Sequence, residues 1–279
     1  MIANAQEKDV KYLNLTPPSS QPEVFAPGII SIDEEYEFGS VFNKAGTEFY
    51  YAVNVNGKEE IKYSKLVVDS WSEPVTLLAH PLYGYNDPFL SPDEQRLYFI
   101  SQRALNGKDK KEDYDIWYVE KTNDGWSEPI NAGTKINTQK DEYYISFTND
   151  GTMYFSSERD GKSFNIYYSK FLNGQFQEPI PLDDTINTAN YEADVFIDPS
   201  ESYIIFSANY PTGYGQGDLY ISYKNEDGTW TKSKNMGDLI NTANHELCPF
   251  VTKDGKYFFF TSNRDIYWVD SKIIENLRL

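Results

Sequence analysis

The sequence contains little cysteine, little histidine and no long apolar run. Its 279 residues include one cysteine, Cys248, so no disulfide can form within the chain. That cysteine and the two histidines, His80 and His245, fall short of the usual ligand set of a zinc site. Because no apolar stretch approaches the length needed to cross a bilayer, we expect no membrane insertion. The length nevertheless suffices for a large buried core.

Positive charge is also scarce. Against 43 Asp and Glu residues there are 25 Lys and Arg residues, which gives a net charge of −18. A surface this acidic repels phosphate groups, so neither nucleic acid nor an anionic lipid surface is an expected partner. Cations, sugars, peptides and basic proteins remain as ligand classes, and solubility alone also accounts for the charge.

Aromatic residues are abundant, with 23 Tyr and 17 Phe. These residues favour pleated, half-buried surfaces, and helical periodicity is absent over long windows, so the sequence predicts an all-β protein. The pattern recurs with a period of about 50 residues. Each copy begins with an apolar strand, and these first strands are predicted at Glu37–Phe42, Asn86–Leu90, Glu142–Phe147, Glu192–Ile197 and Glu246–Val251.

The rest of each copy follows a common order. A tight turn leads to an aromatic second strand, then to a third strand, and a fourth strand begins with an aromatic residue, as in Trp126-Ser-Glu-Pro129. An Ile-Asn-Thr linker closes three copies, at 136–138, 186–188 and 240–242. Four antiparallel strands per period predict a five-bladed β-propeller, because one blade cannot bury both of its faces alone.

The domain boundaries follow from this repeat. Residues 12–279 are predicted to form one β-propeller domain, and residues 1–11 a disordered N-terminus. The fifth copy lacks a fourth strand, and Ser20–Phe25 fits the vacant position, with Glu23 matched to the Glu of the Trp-x-Glu-Pro element. The N-terminal segment is therefore predicted to close the ring. The blades are placed at about 29–80, 81–138, 139–188, 189–242, and 243–279 with 12–28.

The second copy carries the most specific motif. It reads Asp87-Pro-Phe-Leu-Ser-Pro-Asp93, Arg96-Leu-Tyr-Phe-Ile-Ser101 and Asp115-Ile-Trp117. This resembles the PD40 (WD40-like) repeat of TolB-type propellers, and the resemblance covers residues 36–268. It implies the propeller fold. For function it implies only a range, namely periplasmic scaffold modules, gating domains of peptidases and frames of some polysaccharide lyases. Five repeats without a second domain do not imply the specific role of TolB.

Acidic residues recur at the start of the first strands, where a propeller lines its central channel. They are Glu37, Glu142, Glu192 and Glu246, and Tyr85 takes this position in the second copy. Asp87 and Asp194 lie two positions further along their strands, so simple alternation places them on the same face. One interpretation is a ligand site at the channel mouth that also suits Ca²⁺. The other is pairing between neighbouring blades with Arg103, Arg159 and Arg264. Three arginines cannot satisfy six carboxylates, so some need water, hydroxyls or a cation.

Signals for catalysis are weak. His245 precedes Glu246 and would form a general-base constellation with Glu142 and Glu192 at the channel mouth. A nucleophile elbow is absent, Cys248 lies in a core strand, and Gly213-Tyr-Gly-Gln-Gly217 precedes no predicted helix that would hold phosphate. The residues favour a non-catalytic role, and the alternative is a carbohydrate-active enzyme, either a polysaccharide lyase or a glycosidase.

Two long loops, Ala104–Tyr114 and Asn209–Gly217, interrupt the regular pattern. The second contains Tyr210 and Tyr214, and exposed tyrosines suit the stacking of sugars or peptides. Surface insertions are equally tolerated without a function. The loops are thus candidates for a binding surface on one face of the ring.

The N-terminal residues indicate export. Ala3-Asn4-Ala5 before Gln6 has the small-x-small form of a signal-peptidase site, so we expect a periplasmic or extracellular protein with its signal peptide removed. The combined prediction is a monomeric binding or scaffold module that takes a protein, peptide or glycan at one face of the channel, without an obligatory cofactor.

Overall fold

The computed structural model of the protein describes residues 11–278, which form a ring of five β-sheets and one separate two-stranded hairpin. The first strand of each sheet contacts the first strands of both neighbouring sheets, so these strands lie innermost. Each sheet is therefore one blade, and the predicted all-β, five-bladed propeller is confirmed. A single hydrophobic cluster includes residues from all five blades, because each blade buries its faces against its neighbours.

The three inner strands of every blade run antiparallel in sequence order. They are Glu37–Phe42, Glu48–Val55 and Lys58–Val67 in blade 1; Asn86–Leu90, Arg96–Arg103 and Lys110–Thr122 in blade 2; Glu142–Phe147, Met153–Ser157 and Asn165–Ser169 in blade 3; Glu192–Ile197, Tyr203–Ala208 and Asp218–Tyr223 in blade 4; and Leu247–Val251, Tyr257–Ser262 and Asp265–Asp270 in blade 5.

The fourth strand is divided in the first three blades. The first piece carries the aromatic residue. It forms hydrogen bonds near the end of the third strand, or it belongs to a separate hairpin. The second piece follows the Glu-Pro step. Proline has no N–H to donate, so it suits the gap between the two pieces. Blade 4 has the same gap without a proline, between the bridge at Trp230 and the strand that begins at Lys234. The pieces are Ser70–Trp71 and Val75–Leu78, Gly125–Trp126 and Ile130–Asn131, and Gln175–Phe176 (paired with Phe171–Leu172) and Ile180–Pro181; blade 4 has Lys234–Asn235.

The N-terminal segment supplies the fourth strand of blade 5, as predicted. Glu23–Val24 pairs antiparallel with Asp265–Asp270, with Glu23 opposite Trp268. The predicted register is wrong by two residues, since Glu23 occupies the place that Ile130 and Ile180 take in their blades. The difference arises because the chain leaves this strand through a longer turn than the other linkers use.

A left-handed turn and a short helix flank the ring. The turn spans Tyr12–Asn14, whose φ values lie between 51° and 58°. An α-helix spans Lys272–Arg278, where the sequence predicted no helix because seven residues give too little periodicity. Within residues 11–278 no helix has the length and apolarity to span a membrane. The predictions for residues 1–10, including the export motif, lie outside the described residues.

Candidate functional site: the linker-face mouth of the channel

Each first strand contains a bulge at the same repeat position. The ladder between first and second strands shifts register there in every blade. The residues at these positions have φ between 41° and 53°, and they are Gly39, Asp87, Tyr144, Asp194 and Cys248. Four of them are not glycine, so each costs on the order of 1–3 kcal/mol that the surrounding ring must offset. We call these five residues the bulge ring.

The bulge ring closes the channel. Asp87 Oδ1 of blade 2 lies 3.5 Å from Cys248 Sγ of blade 5, and the Tyr144 hydroxyl of blade 3 donates to the Pro249 carbonyl at 2.9 Å. Asp194 Oδ2 accepts the Cys248 N–H at 3.3 Å. A Cβ on Gly39 would lie only 2.6 Å from Asp87 Oδ1, so glycine is required there. The side chains thus form a floor that separates the two mouths of the channel.

The two aspartates of this floor have unusual electrostatics. Asp87 is buried and Asp194 is partly exposed. Burial raises the pKa of both carboxyls, and the charge of Asp194 further raises the pKa of Asp87. His245 opposes this effect at Asp194, because its positive form lowers the pKa of that carboxyl. Burial also raises the pKa of the Cys248 thiol, so the thiol is not activated as a nucleophile.

An arc of rings surrounds the mouth above the floor. Ring centroids follow one another at 5.1 Å from Tyr114 to Tyr143, 5.1 Å to Phe164, 5.5 Å to Tyr191 and 6.5 Å to His245. Apart from Phe164, each of these side chains is partly exposed. We call these five residues the aromatic arc. It lies on the face that carries the linkers between blades, which we call the linker face.

Tyr36 completes the mouth at blade 1. Its ring lies 5.0 Å from the Phe38 ring, and the Arg264 guanidinium lies 5.9 Å from it. In four blades, one residue directly precedes the glutamate that opens the first strand. These residues are Tyr36, Asp141, Tyr191 and His245. Of these mouth residues, the sequence pointed to His245. Tyr36, Tyr114, Tyr143 and Tyr191 were visible in the sequence only as aromatic residues near strand ends.

The blade-opening glutamates do not face the mouth. Glu37, Glu142, Glu192 and Glu246 are each 0% exposed. Glu142 Oε1 accepts hydrogen bonds from the hydroxyls of Thr138 and Ser157 at 2.8 Å, and Oε2 accepts the Thr138 N–H at 3.0 Å. Thr188 bonds Glu192 and Thr242 bonds Glu246 in the same way. These carboxylates therefore fasten each linker to the next blade.

Simple alternation placed the aspartates on the face of these glutamates, and the structure corrects this. A bulge adds one residue and re-aims the side chain, so Asp87 and Asp194 turn into the channel. Burial raises the pKa of Glu37 and of Glu142 to about 7. The Glu37 carboxylate accepts only the Ile32 N–H, at 3.2 Å, and its Oε2 has no hydrogen-bond partner among residues 11–278.

The three arginines have different partners. Arg159 lies 3.7 Å from Glu142 Oε1 and donates to the Ile136 carbonyl at 2.5 Å. Arg103 donates to the Tyr83 hydroxyl at 2.9 Å and covers the Trp117 ring. Arg264 donates to the Glu34 carbonyl at 3.4 Å. Hydroxyl groups bond three of the six carboxylates, those of Glu142, Glu192 and Glu246, so arginines are not the main partners of these groups.

Tyr85 takes the place of the glutamate in blade 2. It is buried, and burial raises the pKa of its hydroxyl to about 12. Its ring contacts Tyr83 at 5.7 Å, and His80 stacks on Tyr83 at 3.9 Å. Both Tyr85 and His80 therefore belong to the packing at the entry of blade 2.

The two predicted loops differ in structure. Half of Ala104–Tyr114 is strand, because Lys110–Thr122 extends the hairpin of blade 2. Asn209–Gly217 is a loop that packs on the linker of blade 5, where Gln216 N–H donates to the Asn244 carbonyl at 2.9 Å. His245 Nε2 lies 3.3 Å from Ser207 Oγ at the base of this loop. Tyr214 is 53% exposed on its surface.

No group of three His, Cys, Asp or Glu side chains suited to a metal ion occurs in the part of the chain that the structure describes. The two carboxyls of the bulge ring are joined by a thiol and backbone groups, so a hard cation there would find few oxygen ligands. What the mouth does offer is aromatic surface, a partly exposed carboxyl and one imidazole.

Comparison of the sequence with family models and with curated proteins finds no match. The structure is similar to TolB from Acinetobacter baumannii, with a TM-score of 0.51 and 15% identity over 85% of this chain. The chain spans about half the length of that protein, 54% of it. It is also similar to putative TolB from Agrobacterium tumefaciens, with a TM-score of 0.53 and 16% identity over 82% of this chain and 70% of that one.

Two enzymes share the fold to the same degree. A thermostable family-43 glycoside hydrolase has a TM-score of 0.52 and 12% identity over 85% of this chain and 89% of its own. A gluconolactonase from Xanthomonas campestris has a TM-score of 0.51 and 11% identity over 90% of this chain and 95% of its own. The chain is thus a β-propeller similar in structure to TolB propellers and to these enzymes, and at such identities the likeness concerns the fold alone.

Proposed function

We propose that the protein is a non-catalytic binding module that recognises a glycan at the linker-face mouth. The observation that carries this proposal is the aromatic arc above a floor with two carboxyl groups. Tyrosine rings pack against the C–H faces of sugar rings, and carboxyl groups exchange hydrogen bonds with sugar hydroxyls. The mouth provides both kinds of contact on one face of the ring.

The charge of the molecule favours a neutral glycan. The net charge of −18 raises the electrostatic cost of bringing an acidic polysaccharide to the mouth. A carboxyl with a raised pKa, such as that of Asp194, also donates a hydrogen bond when it is protonated, which a neutral hydroxyl-rich ligand accepts. A basic peptide is the competing ligand, because the same rings and carboxyls suit a cation.

Three features support a binding role without catalysis. Glu142 and Glu192 are fully buried and bonded to threonine, so they are not placed to act on a ligand at the mouth. The Cys248 thiol is buried with a raised pKa. His245 is partly exposed at the end of the arc, where it contributes to ligand contact. We further propose that the protein is exported to the periplasm or exterior and acts as a monomer.

Binding of neutral oligosaccharides, measured by calorimetry after a glycan and peptide screen, tests the proposal. Replacing Tyr143 or Tyr191 by Ala should weaken binding about tenfold, because each removes one stacking ring at a cost on the order of 1 kcal/mol or more. Tyr168→Ala is the matched control, since Tyr168 is also partly exposed but lies on the third strand of blade 3. Its affinity should match that of the unaltered protein.

Other outcomes would reject the proposal. If the screen finds binding of basic peptides and of no glycan, the ligand is a peptide. If all three variants lose the same amount of affinity, the binding site lies elsewhere on the protein. A hydrolytic or lyase activity that Asp194→Asn abolishes would favour the second candidate, a carbohydrate-active enzyme. That candidate rests on the two carboxyls of the floor in a fold shared with a family-43 glycoside hydrolase.

A further inference from the structure

A cavity lies at the opposite mouth of the channel. It lies on the face that carries the turns between first and second strands, which we call the turn face, and its volume is about 360 Å³. The same turn position of every blade surrounds it, occupied by Lys44, Pro92, Asn149, Pro199 and Lys253. Since the bulge ring closes the channel between the two mouths, a ligand in this cavity would not reach the aromatic arc.

The backbone amides at this turn position reach towards the next blade. The Lys44 N–H donates to Glu94 Oε1 of blade 2, and the Asn149 N–H donates to the Pro199 carbonyl of blade 4 at 2.8 Å. Pro92 and Pro199 have no N–H. By the repeat, the Lys253 N–H faces the turn of blade 1, where it has no hydrogen-bond acceptor among residues 11–278. The seam between blades 5 and 1 therefore presents a free donor to the cavity.

The side chain at the same residue is also without an anionic partner. Lys253 is partly buried, and no carboxylate of residues 11–278 lies within 4 Å of its ammonium group. Nearby Lys256, by contrast, is 3.5 Å from Asp254.

The carboxylates that face Lys253 already have donors. Asp198 Oδ2 accepts the N–H groups of Ser200 and Ser202 at 3.0 and 3.2 Å, and Glu94 accepts the Lys44 N–H. Glu94 and Asp198 act on Lys253 only through their charge, and burial lowers the pKa of the ammonium while Lys44 lowers it further. The cavity therefore presents the ammonium and the backbone N–H of Lys253, and neither has a partner among residues 11–278.

We propose that the turn-face cavity is an oxyanion site at the seam between blades 5 and 1. The N–H and ammonium of Lys253 would bind the oxyanion directly, and the Lys44 ammonium would add a second positive charge. The ligand class is a small molecule with a carboxylate or phosphate group, because either group accepts several charge-assisted hydrogen bonds at once. The site is independent of the glycan proposal.

The test is a titration of the intact protein with sodium phosphate and, separately, sodium acetate, at constant ionic strength set with NaCl. The Lys253 amide resonance should shift with saturation, and the anion that saturates at the lower concentration identifies the preferred group. Lys253→Met should weaken binding at least fivefold, read from the neighbouring Asp254 amide, and Lys253→Arg should restore it to within twofold.

Lys256→Met is the control, since this lysine lies on the same turn, is 52% exposed in its side chain and already pairs with Asp254. Its affinity should stay within twofold of the unaltered protein. A linear shift that never saturates for both anions overturns the proposal. So does an equal loss of affinity in Lys253→Met and Lys256→Met, because that pattern describes general screening of charge.

Discussion

At the scale of single residues, the buried glutamates set how stability depends on pH. Glu37 and Glu142 are 0% exposed, and burial raises the pKa of each from an ordinary 4.5 to about 7. The folded state therefore binds more protons than the unfolded state between pH 4.5 and 7. Stability contributed by these groups is present below pH 4.5 and is lost as the pH rises through 7. Asp87 and Asp194 act in the same direction.

Glu142→Gln isolates this effect. Between pH 5 and pH 8 the free energy of unfolding of the unaltered protein should fall by about 1–3 kcal/mol more than that of the variant, because glutamine does not titrate. Urea unfolding at the two pH values measures it. Glu120→Gln, whose exposed carboxylate pairs with Arg96 at 3.0 Å, should leave the pH dependence unchanged. An unaltered slope in Glu142→Gln would contradict the prediction.

Residue type and repeat position together predicted where these glutamates lie in the blades. They did not predict which groups bond the carboxylates. The repeat placed Glu142 at the start of a first strand, and that is where it lies. Its partners Thr138 and Ser157 are short hydroxyl residues whose role depends on how the linker folds back on the blade. The choice between a channel-facing acid and a fastened one was therefore open until the tertiary contacts were known.

At the scale of elements, the Ile-Asn-Thr linkers act as clamps between blades. The Asn241 side chain accepts the Leu219 N–H at 2.8 Å and donates to the Leu219 carbonyl at 3.0 Å, so it mimics a strand residue. Asn137 and Asn187 do the same at Ile116 and Ile166. The threonine that follows bonds the next blade-opening glutamate, so one short segment joins two blades.

Asn241→Ala should lower the free energy of unfolding by about 1–3 kcal/mol, because the buried Leu219 N–H loses its partner, while the Leu219 carbonyl keeps the Met236 N–H. Chemical denaturation measures the loss. Asn244→Ala is the matched control, since this exposed residue bonds Thr242 through its side chain, and its effect should stay within about 0.5 kcal/mol. Comparable effects of the two variants would argue against the clamp.

The elements themselves were largely predictable because strand periodicity and turn residues are local signals. The bulges were not, since Asp87, Tyr144, Asp194 and Cys248 share no residue type that demands positive φ. The divided fourth strands were also missed, although the proline in the Glu-Pro step was a usable signal. The bulges arise because the five first strands lie close together around one channel. This closeness is a property of the assembled ring, and the sequence of a single strand does not encode it.

At the scale of the whole molecule, ring closure depends on one aromatic residue of the N-terminal strand. Phe25 is 0% exposed, and its ring lies 5.1 Å from Phe49 of blade 1 and 5.1 Å from both Phe259 and Trp268 of blade 5. It therefore joins the last blade to the first. Because one hydrophobic cluster includes all five blades, losing this contact should affect the entire ring.

Phe25→Ala should reduce the free energy of unfolding by about 3–5 kcal/mol and shift a single cooperative transition. Calorimetry and circular dichroism together measure both features. Ile29→Ala, at a residue that is 46% exposed just after the strand, should change stability by less than about 0.5 kcal/mol. If blade 5 of the Phe25 variant unfolds separately while the remaining blades stay intact, the prediction that ring closure stabilises all five blades together is contradicted.

The sequence by itself determined the number of blades and the N-terminal closure, because repeat length, strand periodicity and aromatic positions are written along the chain. The tertiary structure decided which side chains face each mouth of the channel. It buried the repeated glutamates in the seams, turned Asp87 and Asp194 into the floor, and left Lys253 unpaired at the opposite end. The physical reason is that burial and hydrogen-bond partners come from other blades, so these properties appear only when the ring is closed.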